Sequence, residues 1–207
     1  AATSDTNEDR VTQAKTPSKP PVAPRRPHSF TRHGITVTDD YAWLKDDKWQ
    51  EVLRDPTVLD PDIRKYLDEE NVYTESLLGH TAGLQKTLVR EMRGRIKEDD
   101  SSVPSPDGQF AYFRRFREGG QHELFGRMPR DGSEGEGEIV LDGDALAKDH
   151  KYFKFGGSRH SWDHKMQAWS ADTNGSEYFS IRVRDWASGR DFDDLVEETD
   201  GGVVWAA

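Results

Sequence analysis

The chain contains no cysteine, so disulfide bonds, thiolate nucleophiles and thiolate metal ligands are all excluded. It also lacks any apolar run near the ~18 residues that a membrane-spanning helix needs. Its first residues do not form the continuous apolar segment of a secretion signal. These absences predict a soluble chain without a membrane partner, and they fit a cytoplasmic location.

Positive charge is in deficit, with 29 Lys and Arg against 39 Asp and Glu and a net charge of −10. A nucleic-acid-binding surface would need positive charge gathered on one face, so we expect no nucleic-acid partner. Arg114, Arg115 and Arg117 flank aromatic residues, as in single-strand binders, but the acidic balance favours a role in strand-edge solubility. The densest acidic run, from Asp191 to Asp200, is predicted to be a solvated loop.

Hydrophobic residues make up 33% of the chain, below the roughly 45–50% of ordinary globular domains. Residues 1–24 supply part of this deficit, because they hold almost no large apolar side chain. Such a composition cannot offset the entropy lost on ordering. We therefore predict a disordered tail over residues 1–24.

No residue of the chain fits a common catalytic or cofactor motif. An α/β-hydrolase nucleophile needs the pattern Gly-x-Ser-x-Gly, and the nearest serine, Ser133, lacks the first glycine. Gly156-Gly157 is not followed by the Lys-Ser or Lys-Thr of a phosphate loop. We predict no catalytic residue, no cofactor-binding residue and no cofactor.

His160 and His164 have the spacing His-x3-His, which on a helix would place both imidazoles on one face and could begin a zinc site. Here Ser161-Trp162-Asp163 favours a turn between them, so the helical premise fails. The interpretation favoured is a turn pair that binds no metal. Calorimetric titration with zinc distinguishes the two interpretations.

Two helices are predicted in the first half of the chain. Asp60-Pro61-Asp62 offers a capping side chain, a proline at the first turn and a negative charge at the positive end of the helix dipole. This helix should run to about His80, and Gly79 and Gly83 mark a break before the second. Both carry apolar residues at helical spacing, which we expect to be core contacts. These residues are Ile63, Tyr66, Leu67, Tyr73 and Leu77, then Leu84, Leu88, Met92 and Ile96.

The second half has the alternating pattern of strands, and the pattern occurs twice. Ser105-Pro106-Asp107-Gly108 and Ser161-Trp162-Asp163-His164 open the two copies, so the repeat is about 56 residues long, near the period of a propeller blade. Asn174-Gly175 predicts a tight hairpin turn in the second copy. Two blades cannot close a ring, and Val203 to Ala207 reads as the first strand of another blade. We therefore interpret the chain as part of a larger protein.

The predicted strands of the two copies are Gln109 to Arg117, Leu124 to Met128 and Glu138 to Leu141, then Lys165 to Ser170 and Tyr178 to Asp185.

Several segments, taken in order, resemble the N-terminal part of serine peptidases of the prolyl oligopeptidase family, and among them the oligopeptidase B branch. The resemblance covers about residue 25 to the end and is carried by His33-Gly34, Asp40 to Asp47, Glu69 to Glu75, Gly94 to Pro104, Leu141 to Ala147, Asp172 to Glu177 and Gly202 to Ala206.

The resemblance implies a mixed α and β fold. Residues 25–95 would be a helical N-terminal arm that packs on an α/β-hydrolase domain, with an extended segment from Arg25 to Trp49. Residues 96–207 would be the first, incomplete blades of a seven-bladed β-propeller. The Ser-Asp-His triad would belong to the missing C-terminal hydrolase domain, so the isolated chain is predicted to be inactive.

Two functional hypotheses follow. In the first, the chain is the N-terminal fragment of a serine oligopeptidase that hydrolyses short peptides after Arg or Lys, with the propeller limiting substrate size. The partners would then be short basic peptides and the missing hydrolase domain. In the second, it is a free-standing propeller-type module that binds peptides or proteins without catalysis. An isolated fragment should aggregate or partly unfold, because two blades leave strand edges unpaired. A cooperative melt of a monomer therefore favours the second hypothesis.

Overall fold

A computed structural model describes residues 19–132 and 137–206 of the chain. Ser133 and most of the predicted tail lie outside the described residues. The described residues divide into two units. The first holds the residues up to Trp49 and Thr57–Arg93, and the second holds Gln50–Pro56 and the residues from Gly94 onward. No helix in the described part of the chain is long and apolar enough to cross a bilayer.

The first unit begins with a β-hairpin where the sequence predicted only an extended arm. Strands β1 (His28–Arg32) and β2 (Ile35–Asp39) pair antiparallel. They are joined by His33 and Gly34, both at positive φ (51° and 77°), as a two-residue turn matched to strand twist requires. A 3-10 turn follows at Ala42–Leu44.

Three helices follow along the chain, α1 (Trp49–Arg54), α2 (Pro61–Leu78) and α3 (Ala82–Arg93). Residues 50–54 of α1 belong to the second unit, and α2 and α3 belong to the first. Short 3-10 turns at Pro56–Val58 and Gly79–Thr81 precede α2 and α3. The predicted start of α2 is confirmed, because the Asp60 carboxylate accepts hydrogen bonds from the backbone N–H groups of Asp62 and Ile63. The second of the two predicted helices is α3, which ends at Arg93, so the prediction that Ile96 lies on it is wrong.

The apolar stripes of α2 and α3 are not the core contacts that the sequence predicted. Only Ile63 is buried in the two helices. On α3, Leu84 is 60% exposed and Met92 is 56% exposed. Both stripes have the predicted helical spacing, but most of their side chains remain exposed.

The second unit contains two four-stranded antiparallel sheets, which confirms the predicted pair of blades. The first blade is ordered β3-β4-β5-β6 and the second β7-β8-β9-β10. The helix α4 (Gly143–Ala147) follows the first blade. The strands are β3 (Ser105–Asp107), β4 (Phe110–Arg115), β5 (Leu124–Pro129) and β6 (Glu138–Asp142), then β7 (Lys154–His160), β8 (Met166–Asp172), β9 (Phe179–Asp185) and β10 (Asp191–Thr199).

Several local predictions in the blades were wrong. Ser105–Asp107, which lies outside the predicted strands, is strand β3, and a turn lies at Gly108 and Gln109. The acidic run from Asp191, predicted as a loop, is largely the edge strand β10. An edge strand with one unpaired side tolerates charged side chains, and charge there discourages pairing with another chain.

Two further differences concern the second blade. Asn174-Gly175 does not form a tight hairpin, because six residues separate β8 from β9 and only Gly175 of the pair has positive φ. The Asp172 carboxylate accepts backbone hydrogen bonds from this loop and stabilises its six-residue conformation. Residues 203–206 form no strand, although the Trp205 indole N–H donates to the Arg159 carbonyl at 3.0 Å.

A shared hydrophobic core joins the two blades. Val140 and Leu141 of the first blade pack with Trp169 and Trp186 of the second, and all four are at most 7% exposed. Tyr112, Phe125 and Phe155 are among the partly buried residues that complete the cluster. The facing sides of the blades are therefore fixed by burial, because each sheet covers the apolar face of the other.

Candidate functional site

Two arginines cross between the blades beside this core. Arg127 of β5 lies 3.9 Å from the centroid of the Trp186 ring and donates a hydrogen bond to the His164 carbonyl in the second blade. Arg184 of β9 donates to the Val140 carbonyl in the first blade at 3.0 Å. Arginine suits such crossings, because its planar guanidinium can stack on a ring and bond at its edge at once.

Arg184 also forms a bidentate ion pair with Asp191, with two N···O distances of 2.8 Å. The Trp169 indole N–H donates to the same carboxylate at 3.0 Å. Burial raises the pKa of Asp191, but these hydrogen bonds lower it more, so the pKa lies below its ordinary value. This residue, the first of the acidic run, is therefore a structural ion-pair partner.

A cluster of titratable side chains lies where the two blades meet, and we call it the Asp-His-His cluster. It consists of Asp107 at the end of β3, His160 at the end of β7 and His164 in the following turn. One potential ligand atom of each residue lies within 4.8 Å of those of the other two. A single small cation or proton is thus within reach of all three groups.

Asp107 and His160 are in direct contact across the blades. The distance from His160 Nε2 to Asp107 Oδ2 is 2.7 Å. The hydrogen bond from His160 lowers the pKa of Asp107 below its ordinary value, against the opposing effect of desolvation. The Asp107 side chain is 53% exposed and that of His160 is 25% exposed, so solvent reaches the pair.

His164 is held in place by a strained backbone and by a neighbouring tyrosine. Its φ is 60°, a left-handed conformation that costs a residue with a Cβ about 1–2 kcal/mol. Its Nδ1 lies 2.8 Å from the Tyr112 hydroxyl. Its Nε2 lies beside Gly108, where an added Cβ would approach that nitrogen to 2.5 Å. Glycine at position 108 leaves the room that this imidazole occupies.

Tyr112 is the common neighbour of both imidazoles. Its ring stacks on His160 with centroids 3.7 Å apart, and the two imidazole centroids are 5.5 Å apart. Burial raises the pKa of the Tyr112 hydroxyl, an effect that outweighs the opposite influence of Arg127. The tyrosine therefore remains a neutral hydrogen-bonding group at neutral pH.

A groove of about 1120 Å³ runs between the blades next to the cluster, and Asp107, Tyr112 and His160 line it. Gln167 and Trp186 line it as well. In the part of the chain that the structure describes, the Gln167 Oε1 and the Trp186 indole N–H are buried polar atoms that have no protein partner. Such atoms are normally satisfied by water or by a ligand. The polar part of the groove wall comes from other lining side chains, among them Asp107, Ser158 and His160.

The structure confirms part of the interpretation of His160 and His164. They lie in a strand end and a turn, and the helical arrangement is absent as predicted. The turn nevertheless brings both imidazoles to one place, as a helix would have done. Metal binding by this pair stays untested, and the absence of a helix is no longer an argument against it.

Asp107 and Tyr112 are functional candidates that the sequence reasoning missed. Asp107 stands in the motif that opens the first copy of the repeat. In the second copy His164 is the last residue of the corresponding motif, and His160 directly precedes that motif. Neighbouring blades bring corresponding positions together. The repeat register was thus the signal that could have linked these residues.

The blade pair defines the class of protein as a β-propeller domain. A family model described as the N-terminal β-propeller domain of prolyl oligopeptidase matches residues 20–207. The chain belongs to this family, and the resemblance found in the sequence is confirmed.

The curated relatives are peptidases by name. The chain is 29% identical over 204 residues to dipeptidyl aminopeptidase BI from Pseudoxanthomonas mexicana, covering 90% of this chain and 27% of the relative. It is 29% identical over 185 residues to Protease 2 from Moraxella lacunata, covering 86% of this chain and 25% of the relative. The chain therefore spans about a quarter of the length of the curated relatives that it matches.

A solved structure shows the same fold. Oligopeptidase B from Leishmania major superimposes with a TM-score of 0.78 at 24% identity, covering 91% of this chain and 28% of that one. The likeness supports the propeller architecture and carries no statement about substrates.

Proposed function

We propose that this chain is the N-terminal part of a serine oligopeptidase that hydrolyses short peptides after Arg or Lys. The observation that carries the proposal is the match to the prolyl oligopeptidase propeller family over residues 20–207. The propeller would restrict the substrates to short peptides by limiting entry. The net charge of −10 suits basic peptides.

In this proposal the catalytic groups lie in the remainder of the protein. Peptide hydrolysis there would use serine as the nucleophile, histidine as the general base and aspartate to orient the histidine. Backbone N–H groups would stabilise the oxyanion. The chain itself would supply part of the wall that selects substrates, and it would not hydrolyse peptides alone.

The first unit would be the arm that packs on the hydrolase domain. Support comes from the exposed apolar stripe of α3, where Leu84, Leu88 and Met92 are each at least 45% exposed. Apolar residues repeated along one helix face are typical of a surface that is buried in the complete molecule. The hydrolase domain would be the occupant, because the chain spans only about a quarter of its relatives.

The proposal is tested by capturing the endogenous protein with an antibody to residues 94–132. The captured protein should be several times heavier than 23.6 kDa and should cleave reporter peptides after Arg or Lys. A serine-directed phosphonate should block that cleavage, and the purified 207-residue chain should not cleave the reporters.

Other outcomes separate the alternatives. Cleavage only after proline, or only of dipeptides from a free N-terminus, would support a peptidase activity but reject the proposed specificity for Arg or Lys. An endogenous protein of 23.6 kDa that melts cooperatively as a monomer would instead favour the interaction module. Turnover by the purified chain would reject the assignment of the triad to the remainder of the protein.

A further inference from the structure

We propose that the Asp-His-His cluster is a binding site for a divalent transition-metal cation, with zinc as the best match. Asp107 of the first blade and His160 and His164 of the second would be its protein ligands. The site is independent of the proposed peptidase activity, because it is built only from residues of this blade pair.

The donor set fits zinc. Two imidazole nitrogens and one carboxylate oxygen are a common zinc ligand set, and a bound water can take the fourth position. Calcium and magnesium prefer oxygen-only sites, and the absence of cysteine makes a thiolate-selective ion less suitable.

The distances between the potential ligand atoms are compatible with zinc coordination after small movements. Tetrahedral zinc with ligand bonds of about 2.0–2.1 Å holds its ligand atoms about 3.3 Å apart. The Asp-His-His atoms lie within 4.8 Å of one another, and the closest pair, His160 Nε2 and Asp107 Oδ2, is 2.7 Å apart. The cation would therefore replace this direct hydrogen bond, drawing His164 inward and moving the closest pair apart. Small side-chain rotations suffice, since the Asp107 side chain is 53% exposed.

His164 is already supported as metal-binding histidines usually are. Such a histidine commonly forms a hydrogen bond through its other ring nitrogen, which fixes the tautomer and the ring orientation. Here the Tyr112 hydroxyl lies 2.8 Å from Nδ1, which leaves Nε2 for the cation. The His164 carbonyl accepts from Arg127, so the strained backbone of the turn is anchored as well.

The local charge permits a cation. Arg127 donates to the His164 carbonyl and is also paired with the Glu138 carboxylate at 3.0 Å. The Arg130 guanidinium lies 3.4 Å from the Gly108 carbonyl. The Asp107 carboxylate has only the neutral or protonatable imidazoles as partners within the cluster. The cluster itself carries the negative charge of Asp107 when both histidines are neutral, and this charge favours a divalent ion.

A bound cation would connect the blades. Its ligands come from both sheets, and no such site exists in an unfolded chain, so binding would stabilise the folded state in proportion to the logarithm of the free metal concentration. The blades would then separate less readily than the core contacts alone allow.

The test is a calorimetric titration of the complete chain with zinc chloride at neutral pH, with thermal melts at each zinc concentration. We expect one ion per chain, micromolar or tighter affinity, and a melting temperature that rises with zinc. Substituting cobalt for zinc should give the visible absorption of a four-coordinate site. His160→Ala, His164→Ala and Asp107→Asn should each weaken binding by at least ~10-fold.

His150→Ala is the matched control, because His150 is an exposed histidine outside the cluster, and it should bind zinc as the parent chain does. Melts without metal show whether each variant is folded, and the isosteric Asp107→Asn serves if a histidine variant does not fold. No saturable binding at micromolar zinc overturns the proposal. Binding that survives all three cluster substitutions also overturns it.

Discussion

Asp172 shows how one side chain can define a loop at the residue scale. It is 1% exposed, and its carboxylate accepts hydrogen bonds from the backbone N–H groups of Asn174, Gly175 and Glu177. Burial raises the pKa of Asp172, but these donors lower it more, and the pKa lies below its ordinary value. The ionised form is therefore part of the folded structure.

We predict that Asp172→Asn lowers the free energy of unfolding by about 1–3 kcal/mol at neutral pH, because one backbone donor would face an amide N–H₂ group. A carboxyl with a lowered folded pKa stabilises above its unfolded pKa of about 3.9 and loses that contribution as the pH falls through the folded pKa. The difference between parent and variant should shrink in acid. Denaturant titrations at several pH values measure it.

Asp149→Asn, at an exposed site, is the control and should change stability little at any pH. A difference between parent and Asp172→Asn that stays constant into acid would contradict the assigned role of the carboxylate.

Gly108 is a second residue whose substitution should affect stability strongly. It has φ +56° and lies against the His164 ring. Gly108→Ala should destabilise the chain, first through the left-handed backbone, at about 1–2 kcal/mol, and further through a methyl group at 2.5 Å from Nε2. Chemical denaturation measures both effects together.

Gly119→Ala separates them, because Gly119 has φ +73° and nothing within 4 Å of an added Cβ. Equal losses in the two variants would mean that His164 moves aside without cost. A larger loss in Gly108→Ala would show that the imidazole is held.

At the element scale, helix α2 is the part of the fold that the sequence predicted best. Its start depends on Asp60, whose carboxylate caps two backbone N–H groups. Asp60→Ala should lower the free energy of unfolding by about 1 kcal/mol, measured by chemical denaturation. Asp68→Ala, at an exposed position of the same helix, should change it far less, and equal effects would reject the capping role.

The strands show where sequence reasoning succeeded and where it failed. Alternation located β4, β5 and β9 within a few residues, and in β4 and β5 alternate residues near the start of the strand are buried. It missed β3, whose three residues are all exposed, and β10, whose residues are mostly exposed and acidic. Both are edge strands fixed by backbone pairing, which leaves no hydrophobic pattern to read.

The candidate site was only half predictable for a related reason. The histidine pair is visible as a local spacing, whereas Asp107 and Tyr112 reach it from another blade. They are 53 and 52 positions from the histidines that they contact. Contacts between blades depend on how the two sheets stack, and a single sequence gives this only through the repeat register. The turn that replaced the helix was predicted, but its effect on the two imidazoles was not.

At the scale of the whole molecule, the chain has two blades and a helical unit with an uncovered apolar stripe. We predict that the purified chain self-associates and binds a hydrophobic dye, because Leu84, Leu88 and Met92 are exposed. Replacing these three by glutamine should reduce dye binding and the sedimentation-average mass. Replacing Gln85, Lys86 and Arg90 of the same helix by alanine is the control.

A chain that stays monomeric and dye-free without substitution would contradict this prediction, and with it the proposed arm surface. In the intact protein, the same glutamine substitutions should lower stability.

The hydrogen bonds described between the blades all involve a side chain, whether from Arg127, Arg184, His160 or Tyr112. The backbone pairing of the strands lies within each sheet, so these contacts between the blades depend on a few side chains that can change without disturbing the pairing of either sheet. A chain built in this way can gain, lose or exchange a blade by gene duplication and recombination. Few further substitutions are then needed for the new neighbours to fit.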